Sequence, residues 1–91
     1  MACCLTRKVG ESLRLHQGNK KMWLTVVATR PGSCKIDIEG REFTLYQNKS
    51  IQIGTNDGPI WIDLTRGTAS IAKLAIDAPP NWGIMRQELL A

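Results

Sequence analysis

The sequence predicts an all-β fold, a small antiparallel sandwich or barrel closed by one short C-terminal helical turn. Apolar and polar residues alternate in short runs, as strands with one buried face require. The runs are separated by turn residues at close intervals. The totals, 91 residues with 43% apolar and 22% charged, suit one thin-cored domain and exclude disorder, collagen and coiled coil.

Strands are predicted over 4–8, 12–16, 22–29, 34–39, 42–47, 50–54, 60–65, 71–77 and 82–86. The first two are divided at Gly10 and the second and third at Gly18 with Asn19, residues that accept turn conformations. Pro31 with Gly32, then Gly40, punctuate the middle of the chain. Asp57, Gly58 and Pro59 precede the seventh strand, and Gly67 follows it. Pro79 and Pro80 end the eighth strand, because proline fixes φ and has no N–H for a ladder. In the ninth, Trp82, Ile84 and Arg86 alternate with Gly83 and Met85, so one face carries the large apolar groups and ends in a guanidinium. Residues 87–91 favour helix but make barely one turn.

The chain overlays itself when shifted by 38 positions. Ser12, Leu13 and Leu15 meet Ser50, Ile51 and Ile53, while Trp23, Leu24 and Val26 meet Trp61, Ile62 and Leu64. Lys35, Ile36, Ile38 and Glu39 meet Lys73, Leu74, Ile76 and Asp77. With one extra residue allowed at the double proline, Phe43, Leu45 and Gln47 meet Trp82, Ile84 and Arg86. A single domain of two intertwined half-units, 5–47 and 48–91, is therefore expected. The segment 41–49 is needed both as the last strand of the first half and as the opening strand of the second. Trp23 and Trp61, within apolar runs, are expected in the core. His16, at a strand end before a Gly-Asn turn, is expected at the surface.

The formal net charge is +4. Residues 1–21 hold Arg7, Lys8, Arg14, Lys20 and Lys21 against Glu11 alone, whereas Lys and Arg balance Asp and Glu over 22–91. Such asymmetry favours a polyanionic partner at one end of the molecule. No stretch reaches the length of a membrane span and the N-terminus lacks the apolar run of a signal peptide, so a cytoplasmic protein is expected. Cys3, Cys4 and Cys34 fit a reducing compartment. Adjacent cysteines on a strand point to opposite faces and there is no CxxC, so neither a metal site nor a cofactor is expected. One histidine, no nucleophile motif and no recognisable carboxylate pair argue against an enzyme.

LTRKVGESLRL at 5–15 resembles the N-terminus of the carbon storage regulator (CsrA/RsmA) family. The segments IWIDLTRG and IAKLAIDAPPNWGIMRQEL, within 50–90, resemble the remainder of those short proteins. Members are intertwined homodimers that bind RNA hairpins displaying GGA in the loop. Each of their two sites joins the first strand of one subunit to the last strand of the other.

The resemblance implies a post-transcriptional regulator of translation or mRNA stability. Leu5, Thr6, Arg7 and Lys8 would form the first-strand wall. Ile84, Met85, Arg86 and Glu88 would lie on or after the last-strand wall, with Ala78 and Pro79 in the adjoining turn. Met85 stands where relatives often have histidine, and Cys3 and Cys4 replace aliphatic residues. In a duplicated chain one site is complete, whereas the other would rest on Phe43, Thr44, Leu45 and Gln47, with no arginine. The expected molecule is a monomeric pseudo-dimer with one working RNA site. The alternative is a protein-interaction module that antagonises family dimers through its edge strands without reading RNA.

Overall fold

The computed structural model describes residues 2–86. These residues form nine strands: β1 (Ala2–Lys8), β2 (Ser12–Gln17), β3 (Lys20–Arg30), β4 (Ser33–Ile38), β5 (Arg41–Tyr46), β6 (Ser50–Ile53), β7 (Ile60–Gly67), β8 (Ile71–Asp77) and β9 (Gly83–Arg86). They make two open antiparallel sheets, β1-β8-β7-β6 and β5-β4-β3-β2-β9, so the architecture is a sandwich and not a closed barrel. The expected C-terminal helical turn lies outside the described residues.

Turn chemistry fixes the hairpins. Between β1 and β2, Gly10 adopts φ 89°, while the Glu11 carboxylate accepts the Lys8 N–H at 2.7 Å. Pro31 and Gly32 join β3 to β4, with Gly32 at φ 80°, the pairing of a fixed-φ residue with a left-handed one that a tight turn of this kind demands. Glu39 and Gly40 join β4 to β5 with φ 51° and 84°. Two successive positive φ values match the strand twist of a two-residue hairpin. Asp37 Oδ2 accepts the Gly40 N–H at 3.3 Å, holding that turn.

The core lies between the sheets. Leu13, Leu15, Leu24, Val26, Ile36 and Leu45 from one sheet meet Ile60, Ile62, Leu64, Leu74 and Ile76 from the other, all fully or almost fully buried. Burying each such side chain is worth about 1.5–3 kcal/mol. Alternation then decides the tryptophans against the expectation. Leu24 and Val26 point inward, so Trp23 points outward, and Trp61 does the same between Ile60 and Ile62. Both indoles are exposed, at 39% and 41%. Trp82, just before β9, is the buried one.

The 38-residue repeat persists in the pairing itself. Leu13 pairs Leu24 and Arg14 pairs Trp23; Ile51 pairs Ile62 and Gln52 pairs Trp61. The β3–β4 register slips between Val26 and Ala28, and the β7–β8 register slips between Leu64 and Arg66, the same positions 38 residues on. A β-bulge is a specific local device, so its recurrence at the same place carries more weight than matched apolar residues. Even the rim hydroxyls correspond: Ser12 Oγ bonds Thr25 Oγ1, and Ser50 Oγ bonds Asp63 Oδ1.

β5 follows the same rule, and this decides between the two roles expected of segment 41–49. Phe43 pairs Ile36 and Leu45 pairs Cys34, as Leu5 pairs Leu74 and Arg7 pairs Ala72. All four relations are shifts of 38, so β5 is the counterpart of β1. The strand pairing therefore groups β1–β4 with β5–β8, leaving β9 as an additional strand, in place of the 5–47 and 48–91 division. Gln47 lies beyond β5. Its N–H donates to Gly32 O at 2.9 Å, its Oε1 accepts the Gly67 N–H at 3.3 Å, and it bridges in parallel to Leu64. It clips the two sheets together and occupies no position equivalent to Arg86.

Candidate nucleic-acid interface

β1 edges one sheet and β9 edges the other. β1 packs across the sandwich on β3, and β9 pairs with β2, the neighbour of β3. The two edges consequently share one rim. The opposite rim is made by β5 and β6, which are in contact. No described strand lies beyond β6, so the four-stranded sheet lacks a counterpart of β9.

Each edge strand divides its side chains between the interior and the outer face. On β1, Leu5 and Arg7 pair with the buried Leu74 and Ala72 and share their inward face. Thr6 and Lys8 face outward and are exposed. On β9, Ile84 and Arg86 pair with the buried Leu15 and Leu13, while Met85 pairs with outward-facing Arg14. The predicted binding residues are thus brought to one rim, but on different surfaces of it.

Arg7 differs most from expectation, for it is 5% exposed. Its Nε donates to Thr6 O at 2.8 Å and its Nη1 to Ser12 O at 3.3 Å. Ser12 adjoins Leu13, the residue paired with Arg86. The Arg7 guanidinium therefore ties the edge of one sheet to the other beside the backbone position that carries Arg86. Arg86 is exposed at the end of β9. Arg7, reaching from one sheet to the other, and Arg86, at the end of β9, thus lie at the same rim.

The remaining predicted residues differ in accessibility. Ala78 is buried at 4% exposure and Pro79 is half-buried. Pro79 O accepts the Trp82 N–H at 2.9 Å, which turns the chain from β8 into β9. Ala78 and Pro79 thereby shape the rim, with Ala78 packed into the core. Glu88 lies outside the described residues.

His16 is not the freely solvated histidine that its turn position suggested. It pairs with Gly83 across β2 and β9, and its ring occupies the place of a Gly83 side chain: a Cβ there would lie 2.3 Å from His16 Nε2. Glycine at 83 lets the ring approach the β9 backbone closely. No single residue type signals this contact; only the β2–β9 register brings the two together. Sequence reasoning also missed the exposed pair Trp23 and Trp61, although strand parity with Leu24 and Ile62 could have found them.

A shallow depression of about 300 Å³ lies elsewhere on the molecule, lined by Arg30, Ser33, Lys35, Thr44 and Tyr46 with Ala28 and Cys34. It belongs to the β3–β5 side, away from the β1/β9 rim. Among the described residues no group of three or more His, Cys, Asp or Glu side chains is arranged to hold a metal ion, and no helix is long and apolar enough to cross a membrane. No known protein family, curated protein or solved structure matches the chain.

Proposed function

We propose that this chain is a sequence-specific RNA-binding regulator of translation or mRNA stability, taking hairpin loops that display GGA at a single site on the β1/β9 rim. The observation that carries the reading is that β1 and β9 are the edge strands on the same side of the two sheets, with Arg7 bonded to the Ser12 carbonyl next to Leu13, the residue paired with Arg86. These edge strands belong to the two segments, 5–15 and 50–90, whose residues resemble the carbon storage regulator family. In that family a first strand and a last strand from different subunits build each site, and here one chain supplies both.

The chemistry suits unstacked loop bases. Edge strands offer backbone N–H and C=O groups to base edges. Arg86 offers a planar, permanently charged fork to phosphate, whereas buried Arg7 sets the spacing of the rim and adds positive potential behind it. Lys8, exposed beside it, contributes a more diffuse attraction. The β5/β6 rim has Leu45 at the place of Arg7 and, among the described residues, no strand at the place of β9. We propose a monomeric, cytoplasmic pseudo-dimer with one such site. One site forfeits the avidity of two linked sites, so it favours targets with a single motif.

Mobility shift with a GGA hairpin tests this. Arg86→Ala should weaken binding by about 1–3 kcal/mol, and Gln47→Ala, away from the rim, should leave it unchanged. Equal losses would contradict the one-site reading. Binding should fall with salt by about 0.7 log units per log of salt for each phosphate contacted. A second reading is favoured by one observation, the exposed edge of the short strand β6. Strand addition there would make the chain an antagonist of another β protein. Copurification with a partner chain and no preference for GGA would support that reading instead.

A further inference from the structure

We propose that the outer face of the five-stranded sheet carries a second RNA contact, a stacking platform for one flanking base built on Trp23 and flanked by Arg14, His16 and Lys21. It rests on the RNA reading above for the identity of the polymer, but on different residues and a different surface. Met85, Arg14 and Trp23 are directly paired across β9, β2 and β3, forming an outward row that starts at the rim strand. Trp23 lies two strand spacings from that edge, about 10 Å, so a strand leaving the rim reaches it within a few nucleotides. Its indole is 39% exposed. Arg14 is half-buried beside it, and its Nε is shielded from solvent with no hydrogen-bond partner, a donor awaiting an acceptor next to an exposed indole.

The duplication supplies an internal comparison. Trp61, 38 residues on, is equally exposed on the other sheet. On that face, however, the second copy has Gln52 for Arg14, Gly54 for His16 and Pro59 for Lys21. The acidic neighbour is common to both, Glu39 beside Trp23 and Asp77 beside Trp61. Glu39 is engaged in structure, its Oε1 accepting the Trp23 backbone N–H at 2.8 Å. On this face the first copy therefore has the cations Arg14 and Lys21 where the second has Gln52 and Pro59, on the sheet that β9 edges. A flat aromatic face with positive charge beside it fits a nucleobase and its phosphate, and such stacking tolerates any base.

The test uses the full chain with two RNAs, a GGA hairpin alone and the same hairpin carrying a single-stranded uridine extension, at either end in turn. Trp23→Leu, which keeps apolar area but no π face, should weaken binding to the extended RNA about 5- to 100-fold, the range of one base stack. It should leave the bare hairpin unchanged. Trp23→Tyr should retain most of the affinity, Trp61→Leu should match the unmodified protein, and an abasic extension should erase the Trp23 effect. If Trp23→Leu and Trp61→Leu bind extended RNA alike while Arg86→Ala still weakens both RNAs, the platform is wrong and the rim stands. If Arg86→Ala has no effect and the Trp23 effect persists, the rim is wrong and the platform stands.

Discussion

Gly83 and His16 show how a single missing side chain organises the rim. The His16 ring fills the space over Gly83, with Cε1 only 2.6 Å and Nε2 2.3 Å from where a Cβ would sit. Gly83→Ala should displace the ring and lower stability by about 1–3 kcal/mol, the usual range for forced overpacking. In the His16→Ala background the same change should cost little, and additive losses in urea unfolding would contradict the contact. Cys34 is a second local case. It is 2% exposed, and burial pushes its thiol from 9.0 to about 11. The folded state keeps the proton where the unfolded chain has lost it. Stability should therefore fall as pH rises from 9.0 toward about 11, and the Cys34→Ala protein should lack that part of the decline. Equal pH dependence in both proteins would remove Cys34 as the cause.

At the scale of elements, the alternation of apolar residues and the turn residues made most strands legible from sequence, because a strand that buries one face must repeat every second residue. β1, β4, β7 and β8 appear within a residue or two of their expected bounds. The identity of β5 was not legible. Its Phe43 and Leu45 fit equally well as a first or a last strand, since alternation records which face is buried and not which neighbour is paired. Only the register with β4 decides. Trp23 and Trp61 were misread for a related reason: each has apolar neighbours on both sides in sequence, and large size suggested burial where parity with Leu24 and Ile62 places them outside. For the candidate site, the sequence brought Arg7 and Arg86 into consideration through their motifs. It could not show that Arg7 is buried, which depends on the carbonyl groups of Thr6 and Ser12 receiving its guanidinium.

At the scale of the whole molecule, two copies of a four-strand unit share a core, and a single ninth strand breaks their equivalence. Each unit repeats the same registers and the same bulge. The strand β9 completes one rim only, beside β1 and the excess positive charge of residues 1–21. That asymmetry is the ground on which we propose one RNA site in place of two. The most direct test is the RNA-to-protein stoichiometry with a GGA hairpin, with the mass of the bound species determined in the same solution. One hairpin per single chain is the predicted result; two hairpins per chain, at comparable affinity, would contradict it.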